Sequence, residues 1–187
     1  MAKVTKRKAK TNTLSLTRIT RAIYFLLATY IASIVIFDSG NLITKDAVID
    51  RATLAFSILV INTAVWFMAA GNRSPTIRDA LTYALVAVML VFAGLTTYWE
   101  RGMASTSTIF YALPLLAVGT LKHRHALIAT ATLAAGTYCF AAVKYFNDFF
   151  NEGYRVQLWG NLALYSGVIF CIAWLIMIIT DLNHDSR

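Results

Sequence analysis

A chain of 187 residues is long enough for one ordinary domain, but 58% of it is hydrophobic, 14% is charged and it holds two prolines, a balance outside soluble globular composition and inside the membrane class. The net charge of +8 does not describe a nucleic-acid patch, because the excess is almost entirely N-terminal. Lys3, Lys6, Arg7, Lys8, Lys10, Arg18 and Arg21 precede or enter the first apolar run, as expected of a cytoplasmic flank facing anionic lipid.

In chain order, a basic tail (1–18) leads into six apolar segments at 19–37, 52–70, 80–99, 106–121, 126–146 and 158–180, followed by a short tail (181–187). Each segment is near the roughly 20 residues needed to cross about 30 Å of hydrocarbon. The first runs into Phe37-Asp38-Ser39-Gly40 with no small-residue cleavage site, so it reads as a retained anchor rather than a secretory signal. Asn62 falls near the middle of the second, where an amide needs a partner inside the bundle, and reads as interhelical glue before it reads as a ligand contact. The fourth segment is the shortest and contains Pro114, which predicts a kink or a broken hydrogen-bond ladder. Small residues spaced by four, Ala28 with Ala32 and Ala163 with Gly167, would permit close helix contacts.

The two cysteines, Cys139 and Cys171, lie seven and thirteen residues from the outer ends of their segments. At ~1.5 Å per residue they differ in depth by about 9 Å, more than the roughly 7 Å Cα separation a disulfide allows, so both read as small buried hydrophobes. His123 and His125 flank Arg124, and an i, i+2 pair in a cationic loop is a poor metal site. No metal and no cofactor is expected.

Orientation follows from Lys and Arg. With an inside N-terminus and six crossings, twelve fall on the inner side and five on the outer. The inner connections, GNRSPTIRD and LKHRH, are short positive turns. The outer loops at 38–51, 100–105 and 147–157 are richer. There Trp99, Glu100, Arg101, Lys144, Asp148, Glu152, Tyr154, Arg155 and Trp159 combine charge of both signs with aromatics. The aromatics alone describe an interfacial belt. With the charges they form a bundle mouth able to recognise a small polar or zwitterionic solute, and these nine are the candidate ligand-binding residues.

Enzyme signatures are missing: no G-x-S-x-G with an intramembrane histidine, no H-E-x-x-H, no phosphate loop and no buried carboxylate pair at mid-membrane. The expected chain is a non-enzyme.

At WERGMAST, FYALPLL and FFNEGYRVQLWG, the sequence resembles the six-helix membrane segments that precede the catalytic core of some bacterial sensor histidine kinases, over roughly residues 51–180. That resemblance implies a sensor domain with an output domain after its last helix. The sequence ends at DLNHDSR, without a dimerisation helix or His-Glu-Leu-Arg-Thr-Pro box, so the output would come from a partner or from a longer parent chain. Six-helix anchors before class III nucleotide cyclases share only the topology. In size and topology the chain is also similar to the substrate-binding subunits of energy-coupling-factor vitamin transporters, with Ala28-x-x-x-Ala32 matching the small-residue contact used there, but without that family's proline- and glycine-rich outer loops.

These readings converge on an all-α integral membrane bundle of six transmembrane helices in the cell (inner) membrane, both termini cytoplasmic. Its expected role is a sensory or signal-transducing module with its stimulus site at the outer mouth, relaying through helices five and six. A solute-uptake subunit is the alternative, and a structural or assembly protein the third. The implied partners are the lipid bilayer, a kinase-type or ATPase-type cytoplasmic protein and a second copy of the chain, with no nucleic acid.

Overall fold

The computed structural model describes the backbone of residues 2–71, 74–149 and 155–185, and the side chains of 16–71, 74–149 and 155–180. Among these residues six α-helices follow one another: α1 (Ala2–Ser39), α2 (Lys45–Ala70), α3 (Pro75–Trp99), α4 (Ala112–Gly119), α5 (Arg124–Phe149) and α6 (Arg155–Asp185). Two 3-10 turns, Gly102–Ala104 and Thr106–Tyr111, precede α4, and no strand occurs among the described residues. Among the described residues five helices are long and apolar enough to cross a membrane, and the segment Thr106–Gly119 is a shorter apolar one. The helices expose large apolar side chains as freely as they bury them: Phe25, Phe56, Phe67, Phe140, Leu164 and Trp174 are each more than 60% exposed. Such a surface suits hydrocarbon, not water. The chain divides into two compact units, residues 1–85 and 86–187.

In the first unit, α1 and α2 pack along a seam of strict three-and-four spacing. On α1 the buried positions are Leu16, Thr20, Ile23, Leu27, Tyr30 and Ile34; on α2 they are Arg51, Ala55, Ile58, Asn62, Val65 and Ala69. This is the repeat that keeps one stripe of a helix against its neighbour. Hydrogen bonds cross it: Asn62 Nδ2 donates to the Thr20 carbonyl at 3.0 Å, and the Tyr24 hydroxyl donates to Thr63 Oγ1 at 2.8 Å.

The connection between α1 and α2 is only residues 40–44, shorter than the expected loop at 38–51. Asn41, at φ 54°, closes α1 with two reversed bonds, Asn41 N–H to the Asp38 carbonyl at 2.9 Å and Leu42 N–H to the Phe37 carbonyl at 2.9 Å. That pattern is a Schellman stop with asparagine in the left-handed position. Thr44 then caps α2, its Oγ1 accepting from Ala47 N–H at 3.3 Å, with Asp46 in the first turn. The charged residues 45–51 are therefore the first turns of a helix, and Arg51 is buried.

The second unit holds the later part of α3, the 3-10 turns, α4, α5 and α6. The segment before α5 is not the single spanning helix expected. Six residues of 3-10 helix and eight of α-helix cover about 24 Å at ~2.0 and ~1.5 Å per residue, against ~30 Å of hydrocarbon. Its hydroxyl-rich start explains this, because Ser and Thr offer the backbone local alternatives to the helical ladder: Ser105 Oγ accepts from Ser107 N–H at 3.0 Å. The change of ladder falls at Tyr111–Ala112, ahead of Pro114, which occupies the first turn of α4, where a missing N–H is tolerated.

The segment nevertheless returns the chain along the bundle. Asn161 near the start of α6 donates to the Met103 carbonyl at 3.3 Å, while at the other end a Cβ on Gly119 would lie 2.6 Å from Ile176 Cγ2. Residues 103–119 thus run alongside α6 and antiparallel to α5.

Candidate functional site

Where α3 ends, α5 ends beside it. The Tyr98 hydroxyl donates to Asp148 Oδ2 at 2.8 Å, and Lys144 Nζ donates to Asp148 Oδ1 at 3.0 Å while lying 2.9 Å from Oδ2. Lys144 and Asp148 are one helical turn apart, the spacing that places two side chains on one face. The Tyr98 ring meets Tyr145 edge-on at 6.0 Å, and Tyr145 lies 4.8 Å from Phe149.

The turn after α3 is shaped to reach this cluster. Arg101 and Gly102 both have positive φ, 75° and 59°, and a Cβ on Gly102 would stand 2.7 Å from Tyr145 Cβ. Only glycine lets the turn sit directly on the tyrosine. Glu100 engages the following 3-10 turn instead, accepting from the Ser107 hydroxyl, with Ser105 Oγ 3.5 Å from the same carboxylate oxygen.

Of the nine candidate residues seven are described, and their side-chain bonds do not join all seven into one set. Lys144 and Asp148 come together, joined by Tyr98. Glu100 is engaged with the buried serines Ser105 and Ser107. Arg101 is exposed on the turn and Trp99 half-buried beside it. Arg155 and Trp159 are exposed on the first turns of α6. Glu152 and Tyr154 lie outside the described residues.

Below the Tyr98 and Lys144 heads, a groove of about 410 Å³ runs between α3 and α5. Its walls are Val91, Leu95 and Phe140, and its floor is Gly94, Thr137 and Ala141. The two helices come close here because Gly94 has no side chain: a Cβ would lie 2.7 Å from Thr137 Cγ2. The Thr137 hydroxyl donates back to the Leu133 carbonyl at 2.7 Å, so its hydrogen is spent within α5.

Deeper in the unit, Tyr138 stacks edge-on with Tyr111 at 6.1 Å and with Tyr165 at 5.4 Å. Tyr111 and Tyr138 are wholly buried. The Tyr111 hydroxyl faces Thr97, yet the Thr97, Tyr111 and Tyr138 hydroxyls make no hydrogen bond of ordinary geometry among the described residues. Nothing in the local sequence marks Thr97, Tyr111 and Tyr138, since other hydroxyl residues on the same helices, such as Tyr83 and Thr132, are exposed.

Several expected contacts fall elsewhere. Ala28, Ala32, Ala163 and Gly167 are exposed, and a Cβ on Gly167 would meet nothing within 4 Å, so among the described residues these pairs do not bring helices together within either unit. Cys171 is exposed and Cys139 half-buried, both free. That corrects their reading as buried hydrophobes, because on a helix apolar all round the exposed face carries the same residue types as the buried one. His123 and His125 are exposed, and no group of three metal-ligating side chains occurs among the described residues.

No protein-family model matches the chain, and no curated protein or solved structure matches it either. The functional reading therefore rests on the site itself.

Proposed function

We infer that the chain is a six-crossing protein of the cell membrane with both termini cytoplasmic, acting as a sensory or signal-transducing module rather than an enzyme. The observation that carries this reading is the hydrogen-bonded set at one end of the second unit, where Tyr98 and Lys144 both donate to Asp148. It ties the end of α3 to the end of α5, and α5 is followed within a few residues by α6, which runs back to the C-terminal end. The positive bias of the N-terminus and inner loops supports placing this set on the outer side. A stimulus that binds better to one arrangement of Tyr98, Lys144 and Asp148 than to another shifts α5 and α6 by its difference in affinity. The output partner is then a cytoplasmic kinase-type protein.

A second reading has one observation in its favour. Ala28 and Ala32 both lie exposed on α1, a surface on which another membrane helix can approach closely, as required of a transporter subunit that docks on a shared partner.

Genes beside the parent gene separate the two: a kinase core points to sensing, an ATPase pair to uptake. The direct test couples a thermal-shift screen of solutes in detergent with Asp148→Asn in the host. A sensor site predicts at least one stabilising solute whose effect disappears in the variant together with the downstream response. An unchanged host response and no stabilising solute would sink the sensory reading.

A further inference from the structure

The groove between α3 and α5 is unlike a site for a water-soluble solute. Its depth offers no free hydrogen-bonding group: the floor is Gly94, Ala141 and the methyl of Thr137, whose hydroxyl is committed to Leu133. A polar solute seated there would lose its hydration without replacement. The walls are hydrocarbon and open to the surroundings, with Val91 58% and Phe140 73% exposed. At about 410 Å³ the groove falls within the 300–1,000 Å³ typical of small-molecule sites.

Polarity appears only at the mouth, where it has a definite pattern. Lys144 and Asp148 supply one positive and one negative charge side by side. An ammonium has three donors and a carboxylate about four acceptor positions. The bonds from Tyr98 and Lys144 leave capacity on both groups, and both stand at the surface. A purely anionic headgroup drawn to Lys144 is opposed by Asp148. A headgroup carrying a phosphate and an amine can use both.

We propose that this groove seats an acyl chain of an ethanolamine-type phospholipid, the phosphate meeting Lys144 and the amine meeting Asp148. The bound molecule comes from the bilayer, entering sideways between α3 and α5 past Leu95. This assignment rests on the membrane placement above and not on the signalling role.

The experiment uses the full chain in lipid nanodiscs containing a phosphatidylethanolamine probe with a photoactivatable acyl chain, its adducts mapped by mass spectrometry. Flotation with liposomes and resistance to alkaline extraction are measured first, so that failure of the membrane reading is seen separately. Adducts should concentrate on residues 91–98 and 137–144. Leu95→Trp, which fills the groove from a partly exposed position, should lower them at least five-fold, and excess unlabelled phosphatidylethanolamine should do the same to the unmodified chain. A phosphatidylglycerol probe should label at least three-fold less, a preference lost in the Lys144→Met, Asp148→Asn double variant. Adducts spread over the outward faces of α2, α5 and α6 in proportion to exposure, unaffected by Leu95→Trp or by competition, would show an unspecific lipid annulus and overturn the site. Equal labelling by both probes would overturn the headgroup assignment.

Discussion

At the scale of single residues, the clearest constraints come from places where a side chain is absent or must find a partner. Gly102 combines a φ of 59° with a virtual Cβ 2.7 Å from Tyr145 Cβ. An alanine there meets both left-handed strain and overlap with a neighbour close to its own main chain. Gly102→Ala should lower stability by about 2 kcal/mol, read from unfolding in mixed detergent micelles. Asn62 is wholly buried, with Nδ2 bonded to the Thr20 carbonyl and Oδ1 without a partner among the described residues. Interhelical hydrogen bonds in membranes average well under 2 kcal/mol, and removal of the side chain also removes an unsatisfied oxygen. Asn62→Ala should therefore cost about 1 kcal/mol in the same assay, and a loss several times larger would mean that Oδ1 has a partner. Lys144 and Asp148 were legible as rim charges, although the expected loop at 147–157 hid their i, i+4 pairing on α5. The Tyr98 hydroxyl that completes the set was not, because its partner is fifty residues away.

At the scale of elements, apolar run length identified all six segments; α1, α5 and α6 overrun the apolar cores at both ends, and α2 and α3 at their N-terminal ends. The start of α2 illustrates why charge misleads about boundaries. Lys45, Asp46, Asp50 and Arg51 resemble loop residues by composition, but Thr44 caps the helix ahead of them, and polar residues in a first turn are no obstacle to helix. The fourth segment shows the converse. Hydropathy sees one continuous run from residue 106, while the Ser and Thr hydroxyls at its start favour 3-10 geometry and α-helix begins only at Ala112. Because Pro114 then sits in a first turn rather than mid-helix, Pro114→Ala should change stability by less than about 1 kcal/mol, far below the ~3 kcal/mol that proline costs in a helix interior. A large gain on substitution would show that the proline strains this segment.

At the scale of the whole molecule, the testable statement is which side of the membrane each end occupies. With Cys139 and Cys171 replaced by serine, a cysteine placed at Asn151 should react with an impermeant maleimide in intact cells. One placed at Asn72 should react only after permeabilisation. The reverse pattern would invert the bundle and move the Lys144–Asp148 pair to the cytoplasmic side.

The sequence by itself determined the class of the protein, the number and order of its helical segments and the candidate charges at their ends. Those are local properties: a run either is or is not long and apolar enough to leave water, and a charge either can or cannot be carried into hydrocarbon. Tertiary structure decided which faces meet. On helices that are apolar nearly all round, hydrophobicity does not distinguish a side chain packed on protein from one facing lipid, so the stacked tyrosines, the exposed Cys171 and the groove floored by Gly94 appear only when the helices are assembled. The rim residues divided for the same reason. Their place at the helix ends was readable from charge, but whether Glu100 turns to Ser107 or to Lys144 depends on the path of the turn at Arg101 and Gly102, and packing against Tyr145 sets that path.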